Sequence, residues 1–414
     1  MATHHNNNNN ENKTIPFVVS RKEVVLVKPS KQTPSQVLTF SSIDNDLALE
    51  LICQTLYVYQ GNNPHHQPSN DPASLIKDAI SKVLVYYYPL AGKLRRDVKD
   101  GRLYLTCNGD GVPFLEASVN SQFFTAMAEL ASGKIEPTVK PVWERDRLVV
   151  SKTDQIQHPD DVQLPFKFNF DELAKSPYLP TSEIVHQCFN VNSEAIKHLK
   201  QKLVKVSESK NLKLSFTTIE ALGAYIWRSR FRALKLNPDG KTSFFLATGI
   251  RKHMKPPLPD GYYGNAFVSS TTVLIGKDLN EMKLCETAKL IKESKKIACT
   301  EKYIWSELEK REKLMEMNIK IEGNGAAMVL TDWRQLGLLE EVDFGWKGAV
   351  NIIPVPWEMF GYVDLCFFMP PCNLDTSMKG GVRVLVSLPK AAMSKFKEEM
   401  DALSYLGSDD EILI

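Results

Sequence analysis

The sequence lacks the features of a membrane-bound or secreted protein. No stretch approaches the run of about eighteen apolar residues that a membrane-spanning helix requires. The seven cysteines are scattered, odd in number and without a CxxC pair, so we expect reduced thiols and no metal site. Residues 1–13 are rich in asparagine and contain no apolar stretch, which excludes a secretory signal there. We therefore predict a cytoplasmic protein that begins with a disordered tail over residues 1–20.

The chain also lacks a charge of one dominant sign. Lysine and arginine number 51 against 49 aspartates and glutamates, which leaves a net charge of +2. A nucleic-acid-binding protein would carry a concentrated basic face, so we do not expect nucleic acid as a partner. With 414 residues, 43% of them hydrophobic, the chain exceeds the size that one core usually supports. We expect two domains, in a monomer that has no contact with membranes.

Hydrophobic periodicity predicts an α/β pattern with mixed sheets. Predicted strands span residues 24–27, 103–107, 184–191, 244–248, 268–273, 350–354, 365–369 and 381–388. Predicted helices span residues 73–85, 193–206, 217–233 and 390–403, together with one long charged helix over 281–313. A polar, proline-containing stretch in the middle of the chain is typical of a linker. The predicted domains are thus 21–151 and 184–414, joined by a linker over 152–183.

Several short segments follow one another in a distinctive order. They are LTFSSID at residues 38–44, YPLAGKL at 88–94, TTIEAL at 217–222, GYYGN at 261–265 and VDFGWK at 342–347. In this order and spacing they resemble the plant BAHD family of acyl-CoA-dependent acyltransferases, whose signature DFGWG is similar to the last segment. The stretch 127–143 and Thr331-Asp332-Trp333 most resemble the alcohol benzoyltransferase and taxane acyltransferase branch.

This resemblance implies a fold and a reaction. It implies two similar, chloramphenicol-acetyltransferase-like domains of mixed α/β structure around a central channel. It also implies transfer of an acyl group, of acetyl or benzoyl type, from acyl-CoA to a small-molecule alcohol or amine in plant specialised metabolism. Acyl-CoA is then a co-substrate, and no cofactor stays bound.

The resemblance also assigns roles to a few residues. Asp343 matches a motif aspartate that generally holds its loop by a salt bridge. We favour that structural role over a catalytic one, because structural ion pairs often mimic site residues. Gly345, Trp346, Thr331 and Arg251 are the residues that the resemblance would place at acyl-CoA. The final glycine of the signature is replaced by lysine in this chain.

The second signature of the family, HxxxD, is absent. None of the eight histidines is followed by aspartate at the fourth position, and His66, with Asp71, comes nearest. The family uses that histidine as the base that takes a proton from the acceptor. A positioned base of this kind raises the reaction rate by about 10²–10⁴-fold. Residues 111–120 join directly to 121–130 where the family has a few dozen residues more, so we predict an internal deletion in the first domain. Arg251 matches the arginine that pairs with the HxxxD aspartate and would then lack its partner.

Three interpretations of the chain stay open at this point. It is an acyltransferase by descent with impaired activity, or a non-catalytic relative that binds CoA or a partner enzyme, or an unstable product of a splicing or gene-model error. We take the first as its class, an O-acyltransferase of the EC 2.3.1 type. If activity persists, His253 is the candidate substitute base, because it lies within a family-like segment.

Overall fold

The computed structural model describes residues 24–46, 54–59, 72–114, 130, 134–150, 172–208, 214–316, 325–337, 339, 348–355 and 364–404. The strands in these residues are β1 (Val25–Val27), β2 (Gln36–Thr39), β3 (Gln54–Val58), β4 (Lys93–Arg96), β5 (Leu103–Cys107), β6 (Val112–Phe114), β7 (Ile184–Val191), β8 (Lys241–Gly249), β9 (Phe267–Ile275), β10 (Ala327–Asp332), β11 (Asn351–Val355), β12 (Leu365–Met369) and β13 (Val382–Pro389). The helices are α1 (Pro72–Val83), α2 (Ser193–Glu208), α3 (Thr218–Ala233), α4 (Gly276–Glu281), α5 (Leu284–Ala298), α6 (Glu301–Glu316) and α7 (Lys390–Ser404). None of these helices is long and apolar enough to cross a membrane.

The second half of the chain is built on one six-stranded mixed sheet, in the order β7-β13-β12-β10-β8-β9. The central strands β12, β10 and β8 run parallel, and the outer strands pair antiparallel. Helices α2, α3, α5 and α7 pack on one face of this sheet, where Trp227, Phe244 and Phe396 are buried. A layer of helices on a sheet buries the apolar side of both, which makes this the main core of the described residues.

The first half forms three small sheets instead. Strand β1 pairs with β6, and strands β2 and β4 flank β5, all antiparallel. The third sheet pairs β3 of the first half with β11, which lies far along the second half. A bridge between Val142 and Tyr262 is a further link. Segments from both halves of the chain are therefore interleaved.

Local sequence explains how the central helix α3 starts. The Thr217 side chain accepts a hydrogen bond from the Glu220 backbone N–H at 3.4 Å, and the Glu220 carboxylate accepts one from the Thr217 N–H at 2.8 Å. This capping box satisfies two N–H groups that the first turn leaves without partners. Such a cap stabilises the helix by about 1 kcal/mol. The helix therefore begins where the sequence predicts.

Most of the predicted elements are confirmed. The strands over 103–107, 184–191 and 365–369 have the predicted bounds, and the helices α1, α2, α3 and α7 differ from prediction by one or two residues at their ends. The sequence pattern does not predict β2, β3, β4, β6 or β10, which have three to six residues each.

The prediction of one helix over residues 281–313 is wrong. Residues 281–313 contain two separate helices, α5 and α6, with a break at Cys299 and Thr300. Before α5, helix α4 ends at Glu281, and residues 282–283 have extended backbone, with ψ of 156° and 137°. Arg228 of α3 donates hydrogen bonds to the carbonyls of Leu279 and Met282, at 2.9 and 2.6 Å. The buried Arg228 side chain thus donates to carbonyls at the C-terminal end of α4. Local periodicity cannot show such a contact, because the donor belongs to another helix.

Several predictions concern residues outside the described ranges. These are the tail over 1–20, the helix near 121–130 except for Leu130, most of the linker over 152–183 and the segment over 342–347. Leu130 itself is buried beside Val83 and Tyr87 in a small core of the first half. The predicted domain boundaries stay predictions.

Candidate active site

The face of the six-stranded sheet opposite the helices carries the predicted site residue Thr331. Leu330 and Phe368 belong to the helix-covered core. Successive side chains of a strand point to opposite faces, so Thr331 and its cross-strand partner Phe367 lie on the other face. The β3–β11 ribbon packs there through Ile352, among other residues. The candidate face is thus bounded by a sheet of the second half and by a ribbon that contains a strand of the first.

The residues after Thr331 are held firmly. The Asp332 carboxylate accepts two hydrogen bonds from the Arg334 guanidinium, at 2.8 and 2.7 Å, and a third from the Arg334 backbone N–H at 3.1 Å. Such bidentate pairs are among the stronger hydrogen-bonded contacts. The Trp333 ring stands edge-on to Phe367, with 5.2 Å between centroids, and the Trp333 backbone N–H donates to the Phe368 carbonyl at 2.8 Å. The indole is therefore fixed beside Thr331.

A histidine–serine pair on the same face is a feature that sequence reasoning missed. His186 of β7 and Ser387 of β13 are cross-strand partners, and the His186 Nδ1 lies 2.6 Å from the Ser387 Oγ. Partial burial lowers the pKa of His186, so its ring is mostly neutral at pH 7 and able to accept a proton. His186 lies three strands away from Thr331, roughly 15 Å at ordinary strand spacing, and Ser387 lies two strands away, roughly 10 Å. The pair is too distant to act on an atom held directly at Thr331.

Asp44, in the predicted segment 38–44, connects the two halves. One carboxylate oxygen accepts from the Asn265 side-chain amide at 2.9 Å. The other accepts from Arg145 at 3.1 Å and from the Ser41 hydroxyl at 2.8 Å. The guanidinium of Arg145 also lies 4.7 Å from the Phe40 ring centroid. Because both ions are largely buried and well hydrogen-bonded, this network fixes the GYYGN segment against the 38–44 segment.

Aromatic rings join the YPLAGKL and GYYGN segments. Tyr87, which precedes the first segment, and Trp143 each stand edge-on to Tyr263, with centroids 5.1 Å apart. The neighbouring Tyr262 hydroxyl is buried and has no hydrogen-bond partner among the described residues. Burial, together with the nearby charge of Asp44, raises the pKa of Tyr262 to about 12. The phenol therefore stays protonated at physiological pH.

Arg251 supports the same turn from another side. Its guanidinium donates to the carbonyls of Tyr262 and Gly264, at 3.0 and 3.1 Å, and stands 5.4 Å from the Tyr262 ring centroid. Within the described ranges Arg251 forms no ion pair with a carboxylate. In this structure it holds the backbone of residues 262–264, and its predicted place at acyl-CoA stays a prediction.

The remaining candidates divide into two groups. Asp343, Gly345 and Trp346 lie outside the described residues, so their roles stay predictions. His253 is described and is exposed, on a turn whose backbone N–H donates to the Ile250 carbonyl at 2.8 Å. Its ring is therefore open to solvent and to a ligand.

A family match covers most of this chain. The model of the Transferase family matches residues 17–123 and 120–403. The chain belongs to this family, the BAHD acyltransferases. Spermidine sinapoyl-CoA acyltransferase of Arabidopsis thaliana is 36% identical over 456 residues, with 94% of this chain and 98% of the relative covered. Spermidine coumaroyl-CoA acyltransferase of the same plant is 37% identical over 458 residues, with 95% and 97% covered.

The predicted BAHD resemblance is confirmed, and it includes the taxane acyltransferases. Baccatin III:3-amino-3-phenylpropanoyltransferase of Taxus cuspidata is 26% identical over 450 residues, with 94% of this chain and 95% of the relative covered. Its identity is nevertheless lower than that of the two spermidine acyltransferases.

Solved BAHD structures confirm the predicted fold class. Vinorine synthase has a TM-score of 0.66 at 20% identity, with 93% of this chain and 98% of that chain covered. TRI101 of F. sporotrichioides, solved with coenzyme A and T-2, has a TM-score of 0.66 at 13% identity, with 88% and 97% covered. The chain therefore has the two-domain, chloramphenicol-acetyltransferase-like fold of mixed α/β structure.

The match to the BAHD family has a break inside the first half. Its two stretches meet at residues 120–123, where residues 111–120 join directly to 121–130. The alignments with the spermidine acyltransferases are 456 and 458 residues long, although this chain has 414 residues and is not fully covered. These relatives therefore contain residues that have no counterpart in this chain.

Proposed function

We propose that this chain transfers an acyl group from acyl-CoA to a small amine or alcohol, and that it does so slowly because it lacks the HxxxD base. The proposal rests on one observation. The BAHD family model matches nearly the whole chain, yet the sequence contains no HxxxD motif. The family supports the reaction class. Loss of a positioned base removes about 10²–10⁴-fold in rate. Binding and mutual orientation of the two substrates supply the catalysis that remains.

An amine acceptor fits this chain better than an alcohol. The two relatives at 36% and 37% identity are named for spermidine, with sinapoyl-CoA and coumaroyl-CoA as donors. Chemistry supports the same choice. A neutral amine attacks the thioester carbonyl with its own lone pair, the new C–N bond replaces the C–S bond, and the proton lost by nitrogen ends on the thiolate of CoA or in solvent. An alcohol needs a base to remove its proton during the attack. The rate of acyl transfer to an alcohol therefore falls further than the rate to an amine when the base is absent.

The test compares acceptors over a range of pH. With spermidine and coumaroyl-CoA, benzoyl-CoA or acetyl-CoA, the rate should rise about tenfold per pH unit from pH 7 to 9, because the neutral amine fraction rises in that proportion below an amine pKa near 10. With a primary alcohol the rate should stay near background. Product amide or ester is measured by mass spectrometry, against a reaction without protein and against the Arabidopsis thaliana sinapoyl-CoA relative.

Two results would contradict this proposal. One is turnover at pH 7.5 within tenfold of the Arabidopsis relative, and the other is equal rates for the alcohol and the amine. Either result would require a substitute base. The variants His253→Gln and His186→Gln would then identify it, with His198→Gln as a control because His198 lies on helix α2, 4.0 Å from Glu194.

A second candidate function is binding without turnover. The missing base favours it, since a BAHD chain without a base can still hold CoA. Calorimetric titration with CoA and with a non-hydrolysable acyl-CoA analogue tests it. Micromolar affinity together with transfer no faster than the protein-free reaction would favour this function over slow acyl transfer.

A further inference from the structure

The pair of His186 and Ser387 is built into the regular part of the large sheet. Strand β7 pairs with β13 over all of its 8 residues. Val386 and Leu388, the neighbours of Ser387 along β13, are 1% and 0% exposed in the helix-covered core. The two strands are therefore fixed, and they place the two polar side chains together on the opposite face. Groups held by strands keep their positions more precisely than groups on loops.

The distance within the pair suits proton transfer. The His186 Nδ1 lies 2.6 Å from the Ser387 Oγ, within the range over which a base takes a proton from a hydroxyl. Partial burial lowers the pKa of His186, so the ring is mostly neutral at pH 7 and Nδ1 can accept that proton. A serine hydroxyl is a weak nucleophile by itself, and an adjacent base activates it. The geometry therefore joins a nucleophile to a base.

Burial does not require this hydrogen bond. His186 is exposed and Ser387 is half-buried, so water would satisfy the two groups if they stood apart. Polar groups must find protein partners only where water does not reach them. The pair is thus accessible to a small molecule and is not needed to satisfy a buried polar group.

The surroundings favour the serine as the site of acylation. Leu385 lies two residues before Ser387 on the same face and packs on the apolar cluster that contains Phe367. An acyl group on Ser387 would lie beside this apolar side chain. Cys188 is the cross-strand partner of Leu385. Desolvation raises the pKa of the Cys188 thiol, so the thiol stays protonated at neutral pH and competes weakly for an acyl donor.

We propose that Ser387 is a covalent acylation site, activated by His186, that takes an acyl group from CoA thioesters and other activated esters. The Ser387 Oγ attacks the carbonyl carbon, a C–O bond forms, and the C–S bond of the thioester breaks. The hydroxyl proton passes to His186 Nδ1 and then to the leaving thiolate, which gives the free CoA thiol. Water then attacks the acyl-serine ester, and its proton passes through His186 to the serine oxygen. The net reaction is slow hydrolysis of the thioester.

This reaction is separate from the proposed transfer to an amine. His186 and Ser387 lie roughly 15 and 10 Å from Thr331 across the sheet. An acyl group on Ser387 is therefore held at a different place from a donor held at Thr331. The inference goes beyond the proposed function and does not rest on it.

The probes are benzoyl-CoA and p-nitrophenyl acetate, each mixed with the full chain at pH 7.5. Trypsin cuts after Arg383 and Lys390 and releases residues 384–390, VLVSLPK, in which Ser387 carries the one hydroxyl. We expect mass spectrometry to show one added acyl group on this peptide. Acylation of Lys390 would instead prevent the second cut. With the nitrophenyl ester we also expect a burst of about one equivalent of p-nitrophenolate per chain, followed by slower turnover.

Variants of the pair test the assigned roles. Ser387→Ala should abolish the modification, and Ser387→Cys should restore it as a thioester. His186→Gln should slow it by about 100-fold or more, because a positioned base contributes about 10²–10⁴-fold. Circular dichroism verifies that each variant folds.

Two substitutions are matched controls. Ser377 is an exposed serine whose hydroxyl donates to the Asp375 carboxylate at 2.5 Å, and His198 is an exposed histidine of α2. Ser377→Ala and His198→Gln should both be acylated on residues 384–390 at the wild-type rate.

Three results would overturn the proposal. One is a peptide 384–390 that carries no acyl group, and another is the same rate of acylation in wild type and His186→Gln. The third is an acyl group found on residues 176–197, the tryptic peptide that contains Cys188.

The same samples, supplied with spermidine, separate this inference from the proposed function. If the wild-type chain acylates Ser387 while spermidine gains no acyl group, the proposed function fails and the inference survives. If spermidine is acylated while residues 384–390 stay unmodified, the inference fails by itself.

Discussion

At the scale of single residues, Tyr262 shows how burial changes a side chain's chemistry. The residue is 1% exposed, and its hydroxyl has no hydrogen-bond partner among the described residues. By contrast, the buried Tyr225 hydroxyl donates to the Glu399 carbonyl. Burying a polar group without a partner costs free energy, whereas a satisfied one contributes about 1 kcal/mol. The two tyrosines should therefore respond differently to loss of their oxygen.

We predict that Tyr262→Phe leaves the free energy of unfolding unchanged or raises it by about 1 kcal/mol at pH 8, whereas Tyr225→Phe lowers it by about 1 kcal/mol. The pKa of Tyr262 in the folded protein is about 12, above the ordinary value of 10. Its contribution to stability is therefore present below pH 10 and is lost as pH rises from 10 to 12. At pH 11 the free energy of unfolding of Tyr262→Phe, relative to that of the wild type, should be about 1 kcal/mol higher than at pH 8.

Urea unfolding followed by circular dichroism at pH 8 and pH 11 checks this prediction. Equal destabilisation by the two substitutions at pH 8 would mean that the Tyr262 hydroxyl has a partner, such as a bound water.

At the scale of elements, the end of α4 depends on a contact from another helix. Arg228 is buried, and it donates to the carbonyls of Leu279 and Met282. Burial, aided by nearby Arg232, lowers the pKa of Arg228 to about 10. The guanidinium still remains protonated at neutral pH and keeps both donors. It therefore stabilises the end of α4, before the extended residues 282–283 that separate α4 from α5.

We predict that Arg228→Gln lowers the free energy of unfolding by about 2–4 kcal/mol, because buried carbonyls lose their donors. Lys289→Gln is the control. Lys289 forms a surface pair with Glu293 at 3.7 Å, so its loss should change stability by no more than about 0.5 kcal/mol. Both values come from urea unfolding at pH 7.5. A change below 1 kcal/mol for Arg228→Gln would mean that water replaces the guanidinium at these carbonyls.

At the scale of the whole molecule, the two halves differ in how much apolar surface they bury. The six-stranded sheet and its helices form one continuous core from β7 to α7. Among the described residues, those of the first half contribute only to small clusters, and their strands carry the exposed side chains of Val37 and Leu94. Local opening is easiest where few apolar contacts must be broken. The first half should therefore open more often than the second.

Limited proteolysis measures this difference. We predict that a fragment from about residue 184 to the C-terminal helix survives when residues 88–114 are already cut, as mapped by mass spectrometry. Trypsin and thermolysin should agree, because the first cuts at Lys and Arg and the second at apolar residues. Uniform resistance across both halves would show that the small sheets are as stable as the large one.

The sequence by itself determined the family, most helices and strands, and the absence of the HxxxD base. These are local properties: a motif is a run of neighbours, and amphipathic periodicity needs only about ten residues. Asp44 and Arg251 already stood in family-like segments. The bounds of β12 were predictable because its apolar run is bordered by Asp364 and Pro370.

Only the tertiary structure decided which distant residues meet. Asp44 reaches Asn265, His186 reaches Ser387, and β3 pairs with β11, each across more than 200 positions. No local pattern encodes such pairs, because they form only after whole layers pack together. The end of α4 has the same kind of cause, since a donor from α3 contacts the carbonyls of Leu279 and Met282.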